Sequence, residues 1–585
     1  MEYYYSTNKN VQILIALLKA HNIKKVIASP GTTNLELMAS LQHDGFFQMY
    51  SCVDERSAAY MACGLAAETG EPVMITCTEA TASRNYFSGM TEAYHRKLPI
   101  LAVTGLHEYS FIGNLEPQVI DRDTAPSDTM KLKVRLPAIK DENDVWESEL
   151  KINKALLELR RRGGGPVHID IPWNGGNFDF SVQELPTVRV INRYYNGNAL
   201  PPINKGRVAV YIGSHADWSE EETNAIDAFC KKNNAVAFCD HSSKYYGKYR
   251  VQAALLARQR IRLNILEDID LLIHIGEESG DDATKGRIQS GVKEVWRVSS
   301  DGELRDTFKK LTNVFEMEER DFFHYYSEKE DADDSYLEEC KELLERIYAD
   351  LPSLPFSSVY VASKISPLLP TGSAVHFGVS DTIRAWTMFN LPQGVRSYAN
   401  SGCRGIDGCV SALIGASFAN PNKTYFGVFG DLTFFYDLNS LGNRNIGNNV
   451  RIILLNNDGG NIFRHTGHPS QTWLGFEQAN LYIAAAGHFG KKSPELVKNY
   501  AENLGFEYLS ASDKSEFEAE FEHFVSPTNL QKPILFEIFT NSADDNEGFD
   551  LMADILKDSS APVKNAIKQV LGKQGTAFIK KIIKH

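Results

Sequence analysis

Two polar segments, each directly after an apolar run, constrain the fold of this chain more than any other feature. Gly430-Asp431-Leu432 follows the run at residues 425–429, and Asn456-Asn457-Asp458-Gly459-Gly460 follows the run at residues 450–455. Short apolar runs of this kind, separated by a helical stretch, predict neighbouring parallel strands of a doubly wound α/β sheet. Asp431 and Asn457 would then lie at the carboxyl ends of strands, where open α/β sheets bind their ligands.

The residue types at these two strand ends favour a divalent metal beside a phosphorylated ligand. The Asp431 carboxylate, the Asn457 amide oxygen and the Gly459 carbonyl are hard oxygen donors, which suit Mg²⁺. Gly430 and Gly460 let the backbone approach a diphosphate closely. The alternative interpretation is two ordinary strand-to-helix turns, in which Asp431 and Asn457 are local caps.

Length and charge limit the classes of protein that this chain can belong to. Its 585 residues are too many for one hydrophobic core and predict roughly three or four domains. The net charge of −14 argues against a nucleic-acid partner, because phosphate binding needs a basic face. The eight cysteines form no CxxC pair, which indicates reduced core thiols. We expect a cytoplasmic protein, because the sequence shows no signal-type segment and no run of about 18 apolar residues.

Alternating helices and strands in the first third predict a parallel sheet with helices on both of its faces. Helical periodicity covers residues 11–21, and a second helix is expected from about residue 55 to residue 68. The predicted strands are residues 24–31, 47–53, 72–78, 99–105 and 166–173. We therefore place the first domain at residues 1–185. His168, inside the last of these strands, is expected to be a structural histidine.

A Pro- and Asn-rich linker at residues 186–206 leads into a second α/β domain, placed at residues 186–345. This domain has no Gly-x-Gly-x-x-Gly sequence, so a dinucleotide site is not indicated. Its predicted strands are residues 208–213, 235–240, 270–276 and 295–299. A helical linker at residues 328–356 precedes the third domain, at residues 346–560.

The tail at residues 561–585 carries six lysines and no acidic residue, with apolar residues at helical spacing. This pattern predicts a basic C-terminal helix. The favoured interpretation is a helix packed on the body of the protein, and the alternative is contact with an anionic membrane.

The motifs of the third domain resemble one known family. The 26 positions between Asp431 and Asn457 resemble the binding motif for thiamine diphosphate. Residues 375–384, residues 398–408 and Asn461-Ile462-Phe463 extend the likeness. Together these segments resemble the 2-succinyl-5-enolpyruvyl-6-hydroxy-3-cyclohexene-1-carboxylate synthases, the MenD-type enzymes, over nearly the whole chain. The resemblance implies three doubly wound parallel-sheet domains. The first binds the pyrimidine of the cofactor, the second is a central domain, and the third binds the diphosphate.

The resemblance gives Glu55 a catalytic role. On sequence alone, Glu55 is a first-turn acid near a helix N-terminus, which contributes about 0.3–1 kcal/mol. In the family pattern it matches the glutamate that hydrogen-bonds N1′ of the aminopyrimidine of the cofactor. A carboxyl group in a pocket of low dielectric suits this role, because burial raises the pKa of such a group toward neutrality.

The resemblance also implies which residues hold the cofactor, the metal and the substrates. Asp431, Asn457 and the Gly459 carbonyl would hold Mg²⁺, and Ile406 would bend the cofactor into its V shape. The residues expected at thiamine diphosphate are Pro30, Gly31, Gly378, Ser380, Gly405, Ile406, Gly430, Asp431, Leu432, Asn457, Gly459, Gly460, Asn461 and Ile462. Those expected at the substrates are Thr33, His107, Gln118, Arg384, Arg404 and Phe463. For Arg384, a solvated helix charge is an equally weighted alternative.

The chain departs from the family pattern at three expected arginines. Thr33, His107 and Ser401 stand where the family has arginines that bind substrate carboxylates. Charge-assisted contacts contribute about 1.5–3 kcal/mol each, so their loss should weaken dicarboxylate binding by orders of magnitude. Arg404, three positions past one lost arginine, could supply a cation from the same loop. The pattern suggests that the cofactor machinery is kept and the substrate is altered.

The sequence thus predicts an enzyme that decarboxylates a 2-oxo acid with thiamine diphosphate and Mg²⁺, and transfers the acyl carbanion to an acceptor. The alternatives are an acetolactate synthase-like enzyme with FAD, a simple 2-oxo acid decarboxylase, and a non-catalytic protein that keeps the fold. In this superfamily the glutamate of one subunit meets the diphosphate site of its neighbour. The resemblance therefore implies a homodimer or a dimer of dimers.

Overall fold

The computed structural model describes residues 4–327, 334–489, 492–528 and 531–558. The chain forms two compact units. The first comprises Met1–Asn198 and Gly302–Glu316, and the second comprises Ala199–Asp301 and Met317–His585. The tail at residues 561–585, for which a basic helix is predicted, lies outside the described residues.

The first unit contains a six-stranded parallel sheet with helices on both faces. Its strands are β1 (Lys25–Ala28), β2 (Gln48–Ser51), β3 (Val73–Cys77), β4 (Ile100–Leu106), β5 (Leu132–Arg135) and β6 (Val167–Pro172). Its helices are α1 (Lys9–Ala20), α2 (Leu35–His43), α3 (Glu55–Thr69), α4 (Thr81–Asn85), α5 (Phe87–Arg96) and α6 (Glu142–Glu158). The strand order is β2-β1-β3-β4-β6-β5, and every pair is parallel.

Successive residues of the strands point to opposite faces of this sheet and fill two separate cores. Val26 and Met74 belong to the cluster packed with α1 and α6, whereas their neighbours Ile27 and Ile75 belong to the cluster packed with α3 and α5. Both faces are covered, so the strands are apolar along most of their length, as predicted from the sequence.

The central part of the chain contains strands β7 to β13 and helices α7 to α11. The strands are β7 (Asn192–Tyr195), β8 (Val208–Ile212), β9 (Val236–Cys239), β10 (Arg250–Gln252), β11 (Leu271–Ile275), β12 (Val295–Ser299) and β13 (Leu311–Glu316). The helices are α7 (Glu220–Lys232), α8 (Ala254–Arg258), α9 (Asn264–Glu267), α10 (Asp282–Gly291) and α11 (Glu319–Tyr325). Strands β8 to β12 lie in the second unit in the parallel order β10-β9-β8-β11-β12. In the first unit, β7 and β13 pair in parallel.

The last part of the chain, also in the second unit, repeats the arrangement of the first sheet. Its strands are β14 (Ala374–Phe377), β15 (Arg396–Ala399), β16 (Tyr425–Gly430), β17 (Val450–Asn456), β18 (Glu507–Ala511) and β19 (Ile534–Phe539). Its helices are α12 (Ser335–Ala349), α13 (Ser358–Ile365), α14 (Asp381–Trp386), α15 (Cys409–Ser417), α16 (Asp431–Tyr436), α17 (Pro469–Tyr482), α18 (Leu496–Asn503), α19 (Lys514–Val525), α20 (Ser542–Ala553) and α21 (Ile555–Asp558). The all-parallel order β15-β14-β16-β17-β19-β18 repeats that of the first sheet.

The predicted α/β fold with three parallel sheets is confirmed. The segment at 186–206 that was expected to be a linker instead contains β7, because residues 192–195 pair with β13. All eight cysteines are free and seven are buried, in agreement with the prediction of core thiols. Within the described ranges, no helix combines the length and apolarity that a bilayer crossing requires.

Candidate active site

A cavity of about 380 Å³ opens in the second unit at the carboxyl ends of β14, β16 and β17. This is the location at which open parallel sheets bind ligands. Most residues predicted for the cofactor and the substrate in this part of the chain line the cavity: Ser380, Arg384, Arg404, Ile406, Gly430, Asp431, Leu432, Asn457, Gly459, Gly460, Asn461, Ile462 and Phe463. Gly378 and Gly405 lie beside lining residues of the same loops.

Asp431 is the first residue of α16 and is 95% shielded from solvent. Its two carboxylate oxygens accept hydrogen bonds of 2.7 Å from the backbone N–H groups of Leu432 and Gly459. Burial raises the pKa of Asp431 to about 6, although these two hydrogen bonds oppose the shift. A buried carboxylate with no guanidinium or ammonium bonded to it in the described structure is well suited to a cation.

Asn457 and Gly459, which line the same cavity, offer further oxygen donors. The side-chain amide nitrogen of Asn457 donates to Asp545 Oδ2 at 2.9 Å, which leaves the amide oxygen available to a cation. Gly459 adopts a φ of +131°, and a Cβ there would lie 2.5 Å from the Ala484 carbonyl oxygen. Only glycine fits this position, because a side chain would combine backbone strain with a clash.

The residues present therefore fit a hard divalent cation beside a diphosphate. One carboxylate, one amide oxygen and one carbonyl are the ligands that Mg²⁺ takes from protein while phosphate and water complete its octahedron. The described residues contain no cluster of three or more His, Cys, Asp or Glu side chains that could hold a metal. Of Asp431, Asn457 and Gly459, only Asp431 is one of these four residue types. A metal site built from them would therefore differ from a cluster of His, Cys, Asp or Glu side chains.

The loop after β15 brings an apolar side chain to the cavity. Ile406 lines the cavity together with Leu432 and Ile462, which gives the site a largely apolar wall. On another wall, Ser380 has a φ of +68°, a conformation that L-residues adopt only under strain. Strain of this kind clusters at functional sites, and here it lies on the wall of the cavity.

In the first unit, Glu55 begins α3 and is half-buried. Asp54, the residue before it, caps the helix by accepting the Ser57 N–H at 3.1 Å. Asn85 donates its amide to Glu55 Oε2 at 3.1 Å. The cap and the amide hold the Glu55 carboxylate at the carboxyl end of β2, at the edge of the first sheet.

Both regions of the chain that carry these residues match known protein families. Residues 8–126 match the thiamine pyrophosphate enzyme N-terminal TPP binding domain, and residues 382–538 match the C-terminal TPP binding domain. The chain is also 32% identical, over 587 residues, to the 2-succinyl-5-enolpyruvyl-6-hydroxy-3-cyclohexene-1-carboxylate synthase of Bacteroides fragilis, with 96% of this chain and 100% of the relative covered.

The chain belongs to the thiamine pyrophosphate enzyme family. Two further relatives carry the same synthase name. The Bacteroides thetaiotaomicron protein is 32% identical over 95% of this chain and 98% of its own length. The Flavobacterium psychrophilum protein is 26% identical over 90% of this chain and 95% of its own length. The resemblance to MenD-type synthases inferred from the motifs is thereby confirmed.

In this thiamine pyrophosphate enzyme, acidic side chains surround the two arginines that line the cavity. Arg404 donates to Asp282 Oδ2 at 2.7 Å, to Glu278 Oε1 at 2.8 Å and to the Ser279 carbonyl at 3.0 Å. Arg384 lies 3.5 Å from the same Asp282 oxygen. Acids at the start of α10 and just before it therefore already pair with both cations that were predicted to touch substrate.

The remaining predicted residues of this thiamine pyrophosphate enzyme lie in the first unit. Pro30 and Gly31 follow β1, and a Cβ on Gly31 would lie 2.6 Å from Thr78 Cβ, so the backbone approaches closely there. Thr33 shares a hydrogen bond of 2.6 Å with the Thr78 hydroxyl. Gln118 is exposed in the loop after β4, with a φ of +64°.

His107, at the end of β4, is bonded through Nδ1 to the buried Glu79. The same Glu79 accepts the His107 backbone N–H at 3.2 Å through its other oxygen. This position therefore holds an imidazole fixed by a carboxylate, whereas the family pattern leads us to expect an arginine there. Sequence reasoning identified His107 but not its partner, because 28 residues separate them and no motif joins them.

Other residues of the two sites were missed from the sequence. Asp545, fully buried, holds Asn457 and also accepts the Ser358 N–H at 2.7 Å. Asp381 accepts from His465 Nε2 at 2.7 Å on the cavity wall. Asp381 could have been found from the sequence, because it directly follows the predicted site residue Ser380. No motif in the sequence points to Asp545. His168, as expected, is structural: it contacts the Thr104 hydroxyl at 2.8 Å, and burial lowers its pKa to about 4.

Proposed function

We propose that this protein is a thiamine diphosphate- and Mg²⁺-dependent carboligase that decarboxylates a 2-oxo acid and transfers the acyl group to an acceptor. The observation that carries the proposal is the oxygen-donor set of Asp431, Asn457 and the Gly459 carbonyl at the strand ends that line the 380 Å³ cavity. The relatives at 32% identity are named as synthases of a cyclohexene carboxylate, that is, for a product that they form, which favours ligation over simple decarboxylation.

The protein's own residues bind, orient and exchange a proton. Asp431 and Asn457 would hold Mg²⁺ against the diphosphate, and Ile406 would press on the middle of the cofactor. Glu55 would hold a proton at the pyrimidine N1′. Bound thiamine diphosphate supplies the electron sink for decarboxylation. Overall, the bond between the keto carbon and the carboxylate breaks, CO₂ leaves, and its electron pair forms the new carbon–carbon bond to the acceptor, which takes up one proton.

A second copy of the chain completes the site in this proposal. Glu55 is only half-buried, and the apolar side chains beside it are exposed, with 79% of Val53 and 55% of Met61 accessible. In the second unit, Trp473 and Tyr482 of α17 are 84% and 88% exposed. Large exposed apolar side chains of this kind mark association surfaces. We expect a homodimer or a dimer of dimers, and an active monomer in gel filtration would contradict this.

The substrate is proposed to differ from that of the named synthases. Thr33, His107 and Ser401 replace three arginines that the resemblance leads us to expect at substrate carboxylates. Arg404, the candidate replacement, is paired with Asp282 and Glu278. The residues that the resemblance assigns to the cofactor are present in the sequence, whereas the cations available for a dicarboxylic substrate are few.

One observation favours a second candidate, a simple 2-oxo acid decarboxylase. His107 is bonded to Glu79, and histidine is a residue type that serves as a general acid, whereas an arginine stays protonated in proteins. A proton delivered to the acyl carbon in place of an acceptor would release an aldehyde. Product analysis separates the two candidates.

The test is CO₂ release by the purified protein with thiamine diphosphate and Mg²⁺, from a panel that includes pyruvate and 2-oxoglutarate, with and without isochorismate. Release with a ligated ketone supports the carboligase, and release with an aldehyde supports the decarboxylase. A flavin absorbance in the purified protein would favour the acetolactate synthase-like alternative. Cofactor binding with no release from any acid would contradict both candidates and favour a non-catalytic relative.

A further inference from the structure

The cavity contains an acid of its own at the point where its two arginines meet. Asp282 is the first residue of α10, and its carboxylate lines the cavity beside Arg384 and Arg404. The backbone before it is packed tightly on α14: a Cβ on Gly280 would lie 2.4 Å from Ile383 Cδ1. Asp282 is therefore held at the cavity wall by the fold.

The contacts of Arg404 leave little of its charge for a ligand. Two carboxylates and one carbonyl, those of Asp282, Glu278 and Ser279, accept hydrogen bonds from its two terminal nitrogens at 2.7–3.0 Å. Arg384 shares the same Asp282 oxygen at 3.5 Å and lies 3.7 Å from Asp381 Oδ1. Each guanidinium of the cavity thus faces at least one resident carboxylate.

The charges on the cavity wall also disfavour a substrate carboxylate at Arg404. Apart from Asp431, which is assigned to the metal, the cavity lining carries two carboxylates, Asp282 and Asp381, against two guanidiniums, and Glu278 adds a further acid at Arg404. Burial raises the pKa of Asp282, but the hydrogen bond from Arg404 and the charges of Arg404, Lys285 and Arg384 outweigh burial, and its pKa is lowered. Asp282 is therefore ionised at neutral pH. A substrate carboxylate that approached Arg404 would be the third carboxylate around one guanidinium, and like charges at this distance repel.

We propose, resting on the function proposed above, that Asp282 is a specificity-determining residue: it occupies Arg404 and Arg384 and selects a 2-oxo acid with an uncharged side chain over a dicarboxylic 2-oxo acid. Every 2-oxo acid has a carboxylate next to its keto carbon, and this carboxylate is the one lost as CO₂. A second carboxylate, as in 2-oxoglutarate, would need a cation that Asp282 already holds.

The test compares the wild type with Asp282→Asn, Asp282→Asn/Arg404→Met and a matched control, Asp268→Asn. Asp268 is an acid of the same central region that pairs with the exposed Arg262 and does not line the cavity. Two quantities are measured in thiamine diphosphate and Mg²⁺: kcat/KM for pyruvate and for 2-oxoglutarate, and the Kd of glutarate, an inert dicarboxylate, by calorimetry. Thermal unfolding midpoints verify that each variant is folded.

We expect the wild type to prefer pyruvate and to bind glutarate weakly. Asp282→Asn should shift the kcat/KM ratio toward 2-oxoglutarate and tighten glutarate binding, each by about 10- to 100-fold, the range of a charge-assisted contact. The shift should lie mainly in KM. The double variant should lose the gain, and Asp268→Asn should match the wild type.

The outcomes separate this inference from the proposed function. A wild type that prefers 2-oxoglutarate, or an Asp282→Asn variant with unchanged ratio and unchanged glutarate affinity, overturns the role of Asp282. No CO₂ from any acid together with tighter glutarate binding in Asp282→Asn contradicts the proposed function, while it supports the pairing of Asp282 with the cavity arginines.

Discussion

The two six-stranded sheets share one strand order but carry different chemistry at equivalent strand ends. In the first sheet, Glu79 follows β3 and His107 follows β4; in the last sheet, Asp431 follows β16 and Asn457 follows β17. In each case a buried acid accepts a backbone N–H from the loop after the neighbouring strand, that of His107 at 3.2 Å and that of Gly459 at 2.7 Å. The repeated topology thus positions an acid in both sheets.

The two sheets differ in the chemical groups that the loop after the neighbouring strand supplies to this acid. In the first sheet, the loop after β4 supplies an imidazole that binds Glu79 directly, so the acid is already paired with a side chain. In the last sheet, the loop after β17 supplies an amide oxygen and a glycine carbonyl, which add electron pairs beside Asp431 and favour a cation. One arrangement therefore suits proton exchange and the other suits a metal.

The largest effect is expected from removing the acid of the last sheet. Asp431→Asn should lower thiamine diphosphate-dependent CO₂ release by more than about 100-fold, since loss of even an outer partner of a metal ligand costs about 10- to 100-fold in metal affinity or activity. Titration of activity with Mg²⁺ measures the effect. Asp350→Asn, at the exposed end of α12, is the control. Full activity of Asp431→Asn with an unchanged Mg²⁺ requirement would contradict the metal assignment.

Glu55 tests the first sheet at its catalytic position. Glu55→Gln should reduce kcat by about 100- to 10,000-fold, the range for loss of general acid–base assistance, because the amide cannot exchange a proton with the pyrimidine. Thiamine diphosphate affinity, measured by calorimetry, should change little. Glu68→Gln, an exposed acid near the end of the same helix α3, should behave as the wild type. Equal losses in both variants would indicate a general fold defect.

Glu79 sharpens the comparison between the two buried acids. Glu79→Gln should raise the KM for substrate by about 10-fold through a mispositioned His107, the scale of one hydrogen bond to a charged group. The Mg²⁺ concentration for half-maximal activity should stay at the wild-type value, in contrast to Asp431→Asn. The exposed neighbour Glu108→Gln is the control. A changed Mg²⁺ requirement in Glu79→Gln would break the proposed division of roles.

The smallest effect concerns stability of the metal-free protein. The pKa of Asp431 is raised to about 6 by burial, against about 3.9 in an unfolded chain. The unfolded state therefore binds fewer protons between these values, and stability falls as pH rises from about 4 through about 6. At about pH 7, metal-free Asp431→Asn should exceed the wild type by about 1–3 kcal/mol, and the difference should vanish near pH 4. Urea unfolding at the two pH values measures this, and a difference independent of pH would contradict it.

The sequence predicted the parts of the site that depend on local pattern. Asp431 and Asn457 follow strands whose apolar runs are long and buried on both faces, so parallel pairing brought them together as expected. The short strands β7 and β10 escaped prediction because three or four residues give no clear alternation. Their pairing is decided by tertiary contacts.

Pairings between distant residues could not be read from the sequence. The sequence offered Arg404 as a replacement cation from the same loop, yet Arg404 bonds to Asp282, 122 positions earlier. No periodicity connects a helix N-terminus in the central region with a loop after β15. The motif predicts His107 as a site residue, but its bond to Glu79 could not be predicted, because it depends on the register of β3 and β4.

Binding of thiamine diphosphate to the purified wild-type protein, measured by calorimetry with and without Mg²⁺, tests the central claim most directly. The account predicts one cofactor per chain in Mg²⁺ and binding weaker by more than about 100-fold in its absence, because the diphosphate is held through the metal at Asp431 and Asn457. Absence of binding in Mg²⁺, or equal affinity with and without the metal, would contradict it.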